Sequence, residues 1–470
     1  PVLSSAHVPA AEPQQRLPLD LAAWAQEMGE VGQFTSKNPS VDALAAGKAL
    51  FEVLTRVRSR KSLQIPKRTI CSAPLAVKPV PIPIPVATAG RPSASVGATG
   101  TAGIIGYRAD WHSPSGFGEA ARRMGLALEA AGLDWKPIGV PKDSIQRTAL
   151  FPAKVERGLD QADVWIHHLP PDHFDFTKPG RHIGVFAWET DRLTARDIPG
   201  GRNWIEALNR MDEIWVPSQG LVKVLADSGV RSPAHWMPHP IDTAFYSPGA
   251  RRPPCVLPPR FDPTWTVFLY VGTWDVRKRP DVLVRAFSRA FNARDRTLLL
   301  IKTYMTGDAE QDQHIASKWV GEHARGDAHI RALTGVYTPE QMRNLYRFVT
   351  VFVTASRGEG FCLPAVEAMS CGKPVISTGW SAFADYPGVQ VPYRLEPLPA
   401  EHTFPGYAAD QNWAVIDENA LVEALRWAHQ NRAALLTRGA EAQAWVRDHC
   451  GVALVANRLK ERLAVQGGKA

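Results

Sequence analysis

Cysteine is scarce in this chain of 470 residues: Cys71, Cys255, Cys362, Cys371 and Cys450 are scattered, odd in number, and form no Cys-x-x-Cys pair. This argues against a disulfide framework or a cysteine zinc site and fits a reducing compartment, so a cytoplasmic place is expected. No apolar run approaches the ~20 residues that span a bilayer. No secretory signal is visible in a chain that begins at Pro1. Lysine and arginine never form a long run, the densest being residues 56–61, which sets nucleic acid aside as a partner. No internal repeat is visible, so no solenoid is expected.

Positive charge is in excess, with a formal net charge of +8. That favours anionic partners such as a nucleotide diphosphate, or an acidic membrane surface met peripherally from the inner face. The length suits two or three domains, and 45% hydrophobic with 21% charged residues is an ordinary globular composition. Fifteen tryptophans are many. Several lie in residues 165–236, where stacking on sugars or bases competes with core packing.

The first hundred residues stand apart. Residues 19–28 and 41–57 carry apolar side chains at helical spacing. Residues 77–86 (VKPVPIPIPV) alternate proline with apolar residues, which fits an extended linker and neither a helix nor a central strand. Residues 1–100 are therefore expected to be a helical extension with a proline-rich linker.

From Gly103 onward, short apolar runs alternate with helical segments. The runs are residues 103–107, 164–168, 181–188, 214–216, 267–272, 297–303, 330–336 and 351–355. Such alternation predicts parallel α/β sheets, with ligands at the carboxyl ends of the strands. Gly116 and Gly118 follow the first run in a loop, ahead of a helix expected over 119–131. Residues 164–168 end in His167 and His168; neighbours on a strand face opposite ways, and His168 is favoured to reach the ligand side. Glu189 follows the third run.

The richest stretch is Arg357-Gly-Glu-Gly-Phe-Cys-Leu-Pro-Ala-Val-Glu-Ala-Met-Ser-Cys-Gly-Lys-Pro-Val-Ile376. Pro364 suits the first helical position, and Gly372 the left-handed position past a helix end. A short helix over 364–371 is expected. Glu359 then lies in the turn at its mouth and Glu367 one turn inside. The N–H groups of Phe361, Cys362 and Leu363 point outward at the positive end of the helix dipole, a ready anion site.

Glu-x7-Glu within EGFCLPAVEAMSCGKPVI resembles the donor site of the retaining GT-B glycosyltransferases, the glycosyltransferase family 4-like group. The resemblance covers roughly residues 103–465. It implies an α/β GT-B fold of two Rossmann-like domains facing a cleft. Residues 101–245 would be the acceptor domain and 263–445 the nucleotide-sugar donor domain, with 446–470 a helix crossing back to the first. Met237-Pro-His-Pro-Ile-Asp-Thr-Ala-Phe-Tyr-Ser-Pro248 is similar to the family's interdomain segment, with Pro240 in place of the usual glycine.

The same resemblance assigns roles. Glu359 would hold the donor sugar's hydroxyls and Glu367 the ribose hydroxyls, with the backbone of Phe361, Cys362 and Leu363 facing the diphosphate. Lys278 with Arg277 would bind that diphosphate. Arg279 stands where the family usually has glycine, which leaves the second cation open between Arg277 and Arg279. Gly116 and Gly118 would border the phosphate and the acceptor. His168 and Glu189 would shape the sugar and acceptor end, and Val336 and Tyr337 would pack near the nucleobase. No Asp-x-Asp occurs, so neither a metal nor another cofactor is expected beside the nucleotide-sugar donor. The acceptor would be a glycan, a lipid-linked sugar or another hydroxyl. A nucleotide-sugar-binding GT-B protein without transferase activity, or a related epimerase or phosphorylase, stays open as an alternative.

Overall fold

The computed structural model describes residues 103–113, 115–139, 159–194, 203–255, 257–304, 309–399 and 406–464. The expectations for residues 1–100 lie outside these. Two sheets of six strands organise the described chain, and every pairing within them is parallel.

The first sheet has the order β2-β1-β3-β4-β5-β6. Its strands are β1 Ile105–Ala109, β2 Trp135–Ile138, β3 Val164–His168, β4 Arg181–Val185, β5 Glu213–Val216 and β6 Ala234–Trp236. The second has the order β12-β11-β10-β7-β8-β9. It is built from β7 Thr266–Val271, β8 Thr297–Lys302, β9 Ile330–Leu333, β10 Val351–Val353, β11 Val375–Thr378 and β12 Val389–Val391. An antiparallel hairpin follows, β13 Tyr393–Pro397 with β14 Asn412–Ile416.

The helices are α1 Gly116–Ala130, α2 Trp204–Leu208, α3 Gln219–Asp227, α4 Pro280–Ala290, α5 Ala309–His323, α6 Pro339–Phe348, α7 Leu363–Ser370, α8 Glu418–Gln430, α9 Arg432–Cys450 and α10 Val452–Leu463. No helix of the described residues is long and apolar enough to cross a membrane.

The sheets are buried on both faces, which is why their strands read as unbroken apolar runs. Along β7 and β8, Val267, Leu269, Leu298 and Leu300 enter one core, while Phe268, Tyr270, Leu299 and Ile301 enter the opposite one. The first sheet does the same, with Tyr107, Ile166 and Trp215 in one core and Ile214 and Val216 in the other.

Two long-range tethers shape this assembly. Val455, Leu459 and Leu463 of α10 pack into the first sheet's core beside Tyr107 and Met124. The β13–β14 hairpin sends Leu398, Tyr407 and Trp413 into the first domain's other core, against Trp188 and Trp204.

Several expectations are corrected. α1 starts at Gly116, three residues before the expected start, because the Ser115 side chain accepts from Gly118 N–H and caps it. Residues 419–450, which the sequence leads one to expect as a single helical stretch, are two helices broken at Asn431. The edge strands β2, β6 and β12 and the hairpin carry too few apolar residues to announce themselves. Trp165, Trp188, Trp204 and Trp215 are core residues, so they are not available for stacking on a ligand.

Glu213 closes the α10 tether. Its buried carboxylate receives Arg462 Nη2 at 2.6 Å, Trp215 Nε1 at 2.7 Å and Arg181 Nη2 at 3.1 Å. Burial pushes this carboxyl up, but the hydrogen bonds from Arg462 and Trp215 and the charges of Arg181 and Arg462 outweigh it, leaving it below its ordinary value. A depressed carboxyl stabilises the fold above its unfolded-state pKa, and that stabilisation is lost as pH falls through the folded one. Glu213→Gln is therefore expected to cost about 1.5–3 kcal/mol at pH 7. The deficit relative to the parent should shrink on acidification below the ordinary carboxyl range. Urea melts at several pH values check this; a deficit independent of pH rejects the clamp.

Candidate active site

The site begins with the loop between β7 and α4. Asp275 Oδ1 accepts the backbone N–H groups of Arg277 and Lys278 at 2.9 and 2.8 Å, folding the loop so that both side chains leave it on one side. The next residue turns away. Arg279 has φ +51°, the left-handed region that favours glycine. Its guanidinium makes two 2.9 Å bonds to Asp281. Arg277, not Arg279, thus stands with Lys278 at Glu359.

Both cations meet Glu359. Lys278 Nζ lies 2.6 and 2.8 Å from its two carboxylate oxygens, and Arg277 Nη1 lies 3.3 Å from Oε1. Ser356 Oγ donates a further bond at 2.7 Å. The sequence placed Glu359 at an open mouth, but the carboxylate is only 5% exposed. Burial alone raises its pKa; Lys278 and then Arg277 more than offset that, so it is a carboxylate at neutral pH.

Burial follows from how closely the first domain approaches. A Cβ on Gly358 would come within 2.1 Å of the Glu189 carbonyl oxygen, and one on Gly360 within 2.7 Å of the Ala187 Cβ. No side chain fits at either position. Glu189 itself accepts the Tyr407 hydroxyl at 2.9 Å, so the hairpin reaches this corner too. Arg277 feels the charges of both Glu359 and Glu189.

The entry to α7 has the expected polarity. Cys362 is its N-cap, held at φ +62°. Phe361, Cys362 and Leu363 are buried, and among the described residues no acceptor is recorded for their backbone N–H groups. Three buried donors at the positive end of a helix form an anion-binding arrangement. Burial, and next the Glu359 charge, push the Cys362 thiol up to about 12, so it is a neutral thiol and not a nucleophile.

Glu367 departs from the free acceptor expected of it. Arg123 Nη2 of α1 bonds its Oε1, and the Tyr346 hydroxyl donates to Oε2 at 2.5 Å. Arg123 is in turn gripped by Glu119 at 2.8 Å and lies 3.3 Å from the Tyr246 hydroxyl. The two domains are therefore clasped across Arg123 and Glu367. Sequence reading missed Arg123, Tyr246 and Tyr346. Glu119 and Arg123 four apart on one helix was the only local signal.

His168 is connected to α7 through rings. It stacks on His239 at 5.7 Å between centroids, and His239 meets Phe361 edge-on at 5.0 Å. Its Nδ1 lies 2.8 Å from the Tyr107 hydroxyl. Burial and then the His239 charge hold it well below the usual histidine range, so it is neutral. His167 points to the opposite face, against His182 and Phe174, as strand alternation requires.

Gly116 and Gly118 lie in the first turn of α1, not in a free loop. Gly118 is pressed against the carbonyl oxygens of Ser113 and Asp110, at 2.4 and 2.9 Å from where a Cβ would be, while Gly116 has open space. Val336 and Tyr337 follow β9, and Tyr337 packs against the core cluster that includes Phe361, Cys362 and Leu363. Val336 is exposed, and the Tyr337 ring sits 4.4 Å beneath Lys302 Nζ. Among the described residues no three His, Cys, Asp or Glu side chains come together as a metal-ligand set.

Comparisons with known proteins agree on the region around these loops. Residues 266–394 match the family model described as Glycosyl transferases group 1. The D-inositol 3-phosphate glycosyltransferase of Nocardiopsis dassonvillei is 28% identical over 148 residues, 30% of this chain and 33% of that protein. D-inositol 3-phosphate glycosyltransferase 1 of Catenulispora acidiphila is 30% identical over 166 residues, 34% and 38% of the two chains. The match thus spans about a third of the length of these curated relatives. Among solved structures, sucrose-phosphate synthase from Thermosynechococcus elongatus superposes with a TM-score of 0.51 at 18% identity, covering 77% of this chain and 98% of that one. HepE of Anabaena in complex with UDP and glucose gives 0.51 at 12% identity, covering 77% and 99%. At such identities the likeness is one of fold, and the fold is GT-B. From the start of β7 into β13, the second domain is similar to the group 1 glycosyl transferases.

Proposed function

We propose that the protein is a retaining glycosyltransferase moving a sugar from a nucleotide diphospho-sugar to a hydroxyl of a glycan or lipid-linked acceptor, without a metal ion. One observation carries this reading: Arg277 and Lys278 converge at 2.6–3.3 Å on Glu359, beside the unpartnered amides of residues 361–363. Two cations and a helix amino end offer a diphosphate what a metal would otherwise supply, a fixed positive field where charge builds on the leaving group. On donor binding the cations trade part of their contact with Glu359 for phosphate, freeing its oxygens to accept sugar hydroxyls.

Glu367 would accept the ribose hydroxyls, in exchange for its bond to Arg123. His168 and Glu189, with the α1 turn at Gly116 and Gly118, would border the acceptor. Val336 and Tyr337 would flank the base. No side chain needs to act as nucleophile; transfer on one face, with the leaving phosphate helping to take the acceptor's proton, preserves the anomeric configuration. Positioning and charge stabilisation would be the protein's share.

HepE is known in complex with UDP-glucose, which puts that donor first in a screen. Nucleotide-sugars are added with and without an oligosaccharide acceptor, and product configuration is read by proton NMR. Nucleoside diphosphate should appear only with acceptor present, the product should retain the donor's configuration, and EDTA should leave the rate unchanged. An inverted product rules out the retaining mechanism. A rate abolished by chelator and restored by magnesium or manganese rules out the cation-pair assignment.

A further inference from the structure

We propose that a cavity of about 420 Å³ on the second domain, lined by none of Arg277, Lys278, Glu359 or Glu367, is a binding site for a phosphate-bearing small molecule. Arg279, Arg285, Arg357 and Arg394 line it, against two carboxylates, Asp417 and Glu418. Its volume suits a small organic molecule and exceeds what a lone ion fills.

The four guanidiniums are not equivalent. Arg279 is committed to Asp281 at 2.9 Å, Arg285 to Asp281 and Glu418 at 3.0 and 3.2 Å, and Arg394 to Glu396 at 2.5 Å. The Arg357 side chain has no hydrogen-bonded or ion-paired partner among the described residues. Its Nε is buried without an acceptor, and its one recorded side-chain contact is the Trp413 ring at 5.9 Å. A buried guanidinium N–H without an acceptor is costly. Burial and next the Arg279 charge hold Arg357 below its ordinary value, even with Glu396 and Asp281 acting on it from a distance. Of the four cations, Arg357 is the one whose charge no ion pair among the described residues offsets.

An anion relieves that cost. A phosphate group brings three acceptor oxygens and nearly two charges, whereas a carboxylate offers two coplanar oxygens. Guanidiniums reaching one cavity from α4, from the loop before α7 and from β13 favour the group with three oxygens. The amino end of α8 opens on the same cavity, but Asp417 already accepts the N–H groups of Asn419 and Ala420. Recognition thus rests on the arginines. The occupant would sit one residue from the donor-side loop, since Arg357 N–H donates to the Arg277 carbonyl at 2.8 Å.

The test is calorimetry at constant ionic strength with inorganic phosphate and with glucose 1-phosphate. Lys278→Gln serves as the parent, so that phosphate binding at the donor-side cations is weakened. Saturable binding at one site is expected, tighter for the sugar phosphate. Adding Arg357→Gln should raise both dissociation constants about tenfold or more, and Arg357→Lys should recover part of the loss. Arg357→Gln breaks no side-chain hydrogen bond recorded here, and its melting temperature verifies the fold. Arg394→Gln, at an exposed partner of the same cavity, provides a second reading in the same direction. Absence of saturable binding at millimolar ligand, or binding unchanged by Arg357→Gln, overturns the proposal. Either failure leaves the transfer reading standing, because that reading uses none of these side chains.

Discussion

Lys278→Gln should lower turnover of a nucleotide-sugar by about 100- to 1,000-fold, the usual cost of deleting one preorganised group that meets charge in the transition state. Its ammonium sits between both oxygens of Glu359 and is 17% exposed at the side chain, so it acts in a largely dry setting where charge is weakly screened. The loss should fall mainly on kcat, because the charge it meets grows as the diphosphate leaves. Glu359 keeps Arg277 and Ser356 as partners in the variant, so the fold should survive, as a melting curve would show. Lys278→Arg should recover only part of the rate, since a planar fork replaces a compact point charge. A variant within tenfold of the parent would remove Lys278 from the leaving-group role.

Glu367→Ala should destabilise the protein by about 1.5–3 kcal/mol, because it leaves buried Arg123 with Glu119 as its remaining carboxylate and takes the acceptor from the Tyr346 hydroxyl. Arg123 and Glu367 are only 9% and 8% exposed at their side chains. In a double-mutant cycle, Arg123→Ala with Glu367→Ala should cost less than the sum of the single changes. Nucleotide affinity separates the two residues further. Charged hydrogen bonds of about 1.5–3 kcal/mol imply that Glu367→Ala weakens a bare nucleoside diphosphate roughly ten- to a hundredfold. Arg123→Ala should bind it at least as well as the parent, since arginine and ribose compete for one carboxylate. Glu359→Ala should spare the bare nucleotide and lose affinity or rate only with the intact donor. Calorimetry on the three variants decides. Equal losses in Arg123→Ala and Glu367→Ala would mean that the arginine holds the carboxylate for the ribose and does not compete with it.

Legibility followed the range of the interactions concerned. Strand–helix alternation from Gly103 could be read because a strand buried on both faces must be apolar along its whole length. The α7 helix was readable from Pro364 and Gly372, which act on their own backbone. The hairpin was not: residues 393–416 are interrupted by Pro397, Pro399 and Pro405 and by charged residues, and packing against Trp188 and Trp204 makes Leu398, Tyr407 and Trp413 core residues. Gly116 and Gly118 were read as a loop because a serine cap three residues upstream of Gly118 leaves little trace in hydrophobic pattern.

By itself the sequence determined two buried parallel sheets, a short helix with free amides at its amino end, and the cations and carboxylates stationed at strand ends. These depend on backbone preferences and on apolar periodicity, which neighbouring residues settle among themselves. The tertiary structure alone decided which cation joins Lys278, through the left-handed turn at Arg279 that sends its side chain to Asp281. It alone buried Glu359 under a first domain whose backbone approaches too closely for any residue but glycine at positions 358 and 360. It alone clasped Glu367 with Arg123, residues 244 positions apart. An ion pair depends on distance in space, and that distance is set only when both sheets have packed.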